Sequence, residues 1–404
     1  MLALDNWVLK LSRKILTGPH HSSWAPQMEL SVRVFIVFFI STGFFFLLFE
    51  LFTSTEVIDK TPIYQGPSAN QKRDKISTIS PTSYNSSQES KKEYRILWYN
   101  IPFYLVDSFN YANAKKCKKH PNCLFSKNSA DIHKSDVVLF THSTMGGNPP
   151  PKKPNQMWVF NTMENTAFMS RPSKNFEAKL DWLMSYRRKS DIYRPYGTLI
   201  KRSKPLDKDY SEVFRKKKKL GVWMSGHCPV PSNRRNRIKE LKKYLDIDMF
   251  GTCGNGECLI RTPFITECLR NFSRDYKFYF SFENNICEDY TTEKTYNMYL
   301  ENLNMVPVIN GPSTAPEYLP KGSFISALDF PSPKALAEKI KEIASNETLF
   351  TQYLKEKDKY YEIGIHEVFL NSMCQICDIL DRTNGKPERP KGTIMQRYFS
   401  HGEC

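Results

Sequence analysis

Acidic residues are the minority charge in this chain. It has 42 Asp and Glu against 58 Lys and Arg, a formal net charge of +16. Such a balance points to nucleic acid, an acidic membrane or a small anionic substrate. A second absence weighs against the first of these, since the chain has neither zinc-finger spacing nor an RNA-binding aromatic signature. Its basic runs, such as RKKKK at Arg215–Lys219, fall between elements and read as solvated linker. A nucleotide-sugar diphosphate is anionic enough to suit what remains. Cysteine is missing before Cys117, and all ten cysteines follow that point. No second C-x-x-C exists to complete a zinc site with Cys374-Gln-Ile-Cys377. Structural disulfides in an oxidising compartment fit better, although spacing does not set their connectivity. No internal repeat is present.

Charge itself is absent from Val34 to Phe49 (VFIVFFISTGFFFLLF), with Leu51 and Phe52 extending the run beyond Glu50. At ~1.5 Å per residue this core spans about 24 Å, and snorkelling ends can bridge a bilayer. The run starts far from the N-terminus and lacks an A-x-A exit, unlike a cleaved signal peptide. Lys10, Arg13, Lys14 and Arg33 precede it, while Glu50, Glu56 and Asp59 follow. The basic side faces the cytosol. Residues 1–33 are therefore expected to be a cytosolic tail and 34–52 a transmembrane signal anchor, with everything beyond lumenal. Sequons at Asn85, Asn271 and Asn346 agree with a lumenal placement.

Residues 53–92 are rich in Ser, Thr, Asn, Gln and Lys and read as a flexible stem. From 93 to 219 the strand-like stretches RILWYNIPF, SDVVLFTH and QMWVFNTME alternate with polar or proline-rich turns, as in an α/β domain. A second α/β domain is expected over 220–377, and a polar, peripheral tail over 378–404. In the second domain LGVWMSG, LDIDMFG and MVPVIN read as strands and NRRNRIKELKKYL as a helix. SPKALAEKIKEI reads as another. Strands alternating with helices imply parallel sheets.

The most informative segment is Phe282–Lys294, FENNICEDYTTEK. The preceding DYKFYFSF alternates aromatics like a half-buried strand. Thr291 or Thr292 can cap a helix running TTEKTYNMYLENL, which places Glu293 and Lys294 in its first turn. Free backbone N–H groups and a lysine there suit a diphosphate, and a neighbouring carboxylate can face a cationic carbon.

This segment resembles the FEN…DY(x)TEK signature of the α1,3-fucosyltransferases, glycosyltransferase family 10. Four other stretches resemble that family in the same order: Met184–Gly197 (MSYRRKSDIYRPYG), Trp223–Arg237 (WMSGHCPVPSNRRNR), Val306–Pro312 (VPVINGP) and Ala327–Pro331 (ALDFP). The resemblance covers about Tyr94 to Cys377. It implies the GT-B architecture, two Rossmann-like α/β domains facing across a cleft. It also implies inverting transfer of L-fucose from GDP-β-L-fucose to a GlcNAc hydroxyl of a glycan, at the Golgi membrane.

The resemblance assigns roles residue by residue. Glu164, at a strand end, is the expected base. The family usually reads Glu-Ser-Pro there, whereas this chain has Glu164-Asn165-Thr166-Ala167, a change that bears on acceptor choice. Arg235 matches the phosphate-binding arginine, with Arg234 and Arg237 near enough to confuse the assignment. Lys294 is expected to neutralise the diphosphate and Glu293 to face the fucosyl cation. Tyr290, Asn284 and Ser225 are expected to contact the donor, and His227 stands where the family often has Asn. The implied disulfides are Cys117–Cys123 and Cys374–Cys377, with Cys253, Cys258, Cys268 and Cys287 supplying others. No obligatory cofactor or metal is expected, though Mn²⁺ or Mg²⁺ could stimulate. Asp246-Ile247-Asp248 is formally a DxD, but strand alternation puts both aspartates on the face opposite Leu245, Ile247 and Met249. The alternatives are a noncatalytic lumenal lectin or receptor on a transferase-like fold, and a metal-dependent GT-A transferase using Asp246 and Asp248. A nucleic-acid partner is not expected.

Overall fold

The strand-like stretches resolve into two parallel sheets in a computed structural model that describes residues 92–258, 267–399 and 404. The expected anchor, the stem up to residue 91 and the sequon at Asn85 lie outside the described residues. Among the described residues no helix is long and apolar enough to cross a membrane.

The first sheet comprises β1 (Tyr94–Tyr99), β2 (Cys123–Ser126), β3 (Val137–Thr141), β4 (Met157–Thr162), β5 (Trp182–Ser185) and β6 (Ile192–Tyr193). Its order is β2-β1-β3-β4-β5-β6, with every pairing parallel. β7 (Leu199–Lys201) leaves this sheet. The second sheet comprises β8 (Lys219–Met224), β9 (Ile247–Phe250), β10 (Tyr276–Ser281), β11 (Val306–Ile309) and β12 (Ile325–Ser326), in the order β12-β11-β10-β8-β9, again all parallel. β13 (Tyr360–Glu362) then returns antiparallel to β7.

Sheets covered on both faces need near-continuous apolar strands. β4, MWVFNT, is buried along its whole length. β10 was expected to be half-buried, yet it lies between β8 and β11, and only Lys277 of its six residues escapes full burial. Close packing reaches the connecting segment as well. A Cβ on Gly197 would stand 2.3 Å from the Tyr296 ring, so only glycine lets this segment pass the helix that follows the signature loop.

The C-terminal segment departs from expectation. The helix Ile365–Arg382 was assigned by sequence mostly to the second domain, but it closes the core of the first sheet. Phe369, Met373, Ile376, Cys377 and Leu380 are buried there, and Phe369 stacks on Trp98 at 5.2 Å. Its amphipathic pattern would serve either sheet equally, so sequence could not choose. The tail is not peripheral either. Ile394 is fully buried beside Phe140 and Trp158, and Arg397 pairs with Asp191 at 3.2 Å.

The disulfide pairing is likewise corrected. Cys117 pairs with Cys374 and Cys123 with Cys377, rather than Cys117 with Cys123 and Cys374 with Cys377. Cys374 and Cys377 are three apart on a helix, so they share a face, and that face meets the segment carrying Cys117 and Cys123. The remaining bonds are Cys228–Cys253, Cys258–Cys268 and Cys287–Cys404. Replacing Cys117 and Cys374 together by Ser is expected to cost about 2–5 kcal/mol of stability, seen as a lower denaturant midpoint. An unchanged midpoint would mean that the Cys123–Cys377 bond and packing suffice to fix the helix on the first sheet.

Of the two described sequons, Asn271 lies within the helix Glu267–Asp275, where Arg274 donates to its side chain. Asn346 is exposed and caps the helix Glu347–Asp358, its side-chain oxygen accepting from the Leu349 N–H at 3.1 Å.

Candidate active site

In parallel α/β sheets ligands gather at the C-terminal ends of the strands. β10 ends there and leads into the signature loop. Glu283 is buried, and its carboxylate accepts from the Thr292 N–H at 2.8 Å and the Thr292 hydroxyl at 2.8 and 2.9 Å. Lys294 Nζ stands 3.4 Å from Glu283 and 3.0 Å from Glu293. Burial disfavours the Lys294 charge, but Glu283 and Glu293 outweigh it and hold the ammonium well above its usual range. Burial also opposes ionisation of Glu293, yet the adjacent Lys294 keeps that carboxyl below its ordinary value. Burial pushes Glu283 up, with Lys294 partly opposing. The result is one permanent cation held between two carboxylates.

The helix expected from TTEKTYNMYLENL is much shorter. It spans Glu293–Tyr296 and passes into a 3-10 turn at Asn297–Tyr299. Thr292 is its cap, accepting from the Lys294 N–H at 3.5 Å. The Thr292, Lys294 and Thr295 N–H groups are already bonded within the turn or to Glu283. A four-residue helix adds little macrodipole, so the Lys294 ammonium carries most of the positive charge there.

The first sheet contributes Glu164, two residues beyond the end of β4. Its carboxylate accepts from the Tyr290 hydroxyl at 3.5 Å and feels Lys294, Glu293 and Glu283. Burial raises its pKa, with Lys294 pulling the other way. The absent proline is compensated locally. Asn165 Oδ1 accepts from the Ala167 N–H at 3.1 Å, an Asx turn. Asn165 is fully buried and ties the two loops together, donating to Asn284 Oδ1 at 2.9 Å and accepting from Asn285 Nδ2 at 3.2 Å. Tyr290 is clamped edge-to-face by Tyr186 at 4.8 Å and Tyr196 at 5.9 Å. Arg188 grips Asp289 at 2.8 Å, another tie between the signature loop and the first sheet.

Glu164, Glu293, Lys294, Tyr290 and Asn284 are thus brought together as expected. Arg235 is not. It is exposed and, with Lys239, Lys242 and Asp248, lines a separate cavity of ≈550 Å³. Its neighbour Arg234 is buried, donating to the Phe282 carbonyl at 2.9 Å and the His227 carbonyl at 3.0 Å. Its guanidinium lies in the field of Glu283, Tyr290 and Glu293, and burial lowers its pKa. Helical phase decides between the two: Arg234 opens the helix Arg234–Leu241, just after the left-handed Asn233 (φ +53°), on the buried face that carries Ile238 and Leu241. Ser225 is buried, and its Oγ accepts from the His227 N–H at 3.3 Å. His227 sits edge-on to Phe168, 5.7 Å away on the Glu164 loop. Sequence left Arg234 as a rival to Arg235 and gave no role to Asn165 or Glu283; the FEN triplet was the signal for the last.

The DxD residues lie away from this cluster. Asp246 is exposed, and Asp248 accepts from the Tyr276 hydroxyl at 2.5 Å and Lys219 at 3.0 Å. Among the described residues no group of three or more His, Cys, Asp or Glu could hold a metal ion.

Comparison with known proteins bears on the family. The family profile described as "Glycosyltransferase family 10 (fucosyltransferase) C-term" matches residues 214–393, and "Fucosyltransferase, N-terminal" matches 91–197. Alpha-(1,3)-fucosyltransferase fut-1 of Caenorhabditis elegans is 29% identical over 268 residues, covering 63% of this chain and 60% of that protein. The mouse 4-galactosyl-N-acetylglucosaminide 3-alpha-L-fucosyltransferase 9 is 30% identical over 312 residues, covering 74% of this chain and 81% of the relative. A crystal structure of an α1,3-fucosyltransferase with GDP overlays at a TM-score of 0.48 and 15% identity, covering 76% of this chain and 96% of that one. That likeness is too distant to add to the assignment. On the two profile matches and the mouse relative, this chain belongs to glycosyltransferase family 10, the fucosyltransferases.

Proposed function

We propose that this chain is an inverting α1,3-fucosyltransferase of GT-B type. It moves L-fucose from GDP-β-L-fucose to a GlcNAc hydroxyl of glycoprotein or glycolipid glycans, in the Golgi lumen, anchored through residues 34–52. The observation that carries this reading is the meeting of Glu164, from the first sheet, with Tyr290 and the Glu283–Lys294–Glu293 cluster, from the second.

The chemistry follows from those charges. Glu164 takes the proton of the acceptor hydroxyl as its oxygen bonds to the anomeric carbon. The bond from that carbon to the diphosphate oxygen breaks on the opposite face, giving inversion. Lys294 opposes the charge gathering on the departing GDP, with Arg234 adding positive potential nearby, and Glu293 faces the fucosyl cation. With protein cations in that role, turnover has no obligatory metal. The partnered Asp248 and exposed Asp246 fit a structural strand face.

The test is turnover of purified protein with GDP-fucose and GlcNAc-bearing acceptors, with and without EDTA, with product linkage read by NMR. An α1,3-linked product formed in EDTA is expected. Neither transfer nor GDP release with any acceptor would overturn the reading. The same assay has a pH signature. Glu164 must be ionised to act, and burial raises its pKa above the ordinary 4.5. The acid limb of kcat/KM is therefore expected above that value and should vanish in Glu164→Gln. An acid limb that survives the substitution would assign it to another group.

A further inference from the structure

Three side-chain amides meet where the Glu164 loop of the first sheet faces the signature loop of the second. Asn165 and Asn285 are buried, and Asn284 is half-buried. The backbone around them is pinned. The Phe168 and Met169 N–H groups donate to the Asn165 carbonyl at 3.0 and 2.9 Å. The Glu283 N–H donates to Asn310 Oδ1 at 2.7 Å, and the Ser232 N–H donates to the Asn284 carbonyl at 3.0 Å. What is left to settle is which end of each amide faces which neighbour.

A side-chain amide has donors on its nitrogen and an acceptor on its oxygen, and its two ends have nearly the same shape. Backbone N–H groups break that tie, because they only donate. The Ile286 N–H, at 3.0 Å, fixes Oδ1 of Asn285, leaving Asn285 Nδ2 to donate to Asn165 at 3.2 Å. The Ala167 N–H, at 3.1 Å, fixes the same Asn165 oxygen as an acceptor. Asn165 Nδ2 therefore faces Asn284, and Asn284 meets it with Oδ1 at 2.9 Å. Of the Asn284 amide, Nδ2 is the end left over.

That polarity has a use. Glu164 already lies in the field of Glu283 and Glu293, so the cluster is rich in acceptors. The oxygens of a nucleotide sugar need donors, and an amide turned the other way would add one more acceptor. We propose that Asn165 is a positioning residue, which locks Asn284 so that its N–H₂ is offered to an acceptor oxygen of the nucleotide sugar. This rests on the transferase reading above. Asn165, fully enclosed, touches no ligand itself and acts through Asn284.

Calorimetry with GDP-fucose and with GDP, in the absence of acceptor, tests this. Asn165→Asp keeps the oxygen that serves Ala167 and Asn285, but an ionised carboxylate has no donor for Asn284. The Asn284 amide must then turn its nitrogen inward. Asn284→Asp, on a half-buried site, keeps the oxygen that meets Asn165 and replaces only the offered N–H₂. Each is expected to weaken GDP-fucose binding roughly tenfold, and Asn284→Ala about fivefold. A matching loss for GDP puts the contact on the diphosphate, and unchanged GDP binding puts it on the fucose. In the Asn284→Ala background, Asn165→Asp should cost less than about twofold more, since both act on one contact. A loss from Asn165→Asp that persists in full there would overturn the inference, as would parent-like GDP-fucose affinity in either Asp variant. A parent protein that binds neither nucleotide would instead sink the transferase reading, and this inference with it.

Discussion

Glu164→Gln is expected to lower kcat by roughly 10²–10⁴-fold, the usual range for a positioned base. The amide keeps the shape of the carboxylate and can still meet the Tyr290 hydroxyl 3.5 Å away. What it loses is a place for the acceptor proton. GDP makes no use of that place, so calorimetry should find its affinity unchanged within about twofold. Near-normal kcat in the variant would put the base elsewhere and mark the Asn165 turn as part of a rearranged site.

Lys294→Ala should act through binding as well as rate. The ammonium opposes diphosphate charge in both the bound ground state and the transition state. Losing a charged contact of about 1.5–3 kcal/mol weakens GDP affinity by roughly 10–100-fold. Some of the effect is local, because Glu283 is almost fully buried and Lys294 is its counter-charge. Lys294→Arg separates the two contributions, since it preserves the charge for Glu283 while displacing it from the diphosphate. Normal GDP binding by Lys294→Ala would show that the diphosphate does not sit at this turn.

Much of this arrangement was legible in the residues. Continuous apolar strands alternating with amphipathic helices gave two parallel sheets, and the FEN…TEK segment carried Tyr290, Glu293 and Lys294 to one place. What was not legible depends on phase and partner choice. Three arginines within Arg234–Arg237 offer the same chemistry, and helical phase, which buries Arg234 with Ile238 and Leu241, selects which one turns inward. Asn165 is an ordinary loop residue until Asn284 and Asn285 stand opposite it. The cysteine pairs were misassigned because the family resemblance implied local bridges, whereas a helix from the far end of the chain supplied the partners.

That late helix sets a schedule for biosynthesis. The first sheet begins at Tyr94, but the side chains that seal one of its faces arrive with Ile365–Arg382. Cys117 and Cys374 are 257 residues apart, so at ~5–20 residues per second the early strands wait roughly 13–50 s for their cover. During that interval Trp98 and its neighbours present an open apolar face and two unpaired thiols. A nascent chain of this kind is expected to need chaperone cover until Ile365–Arg382 is made.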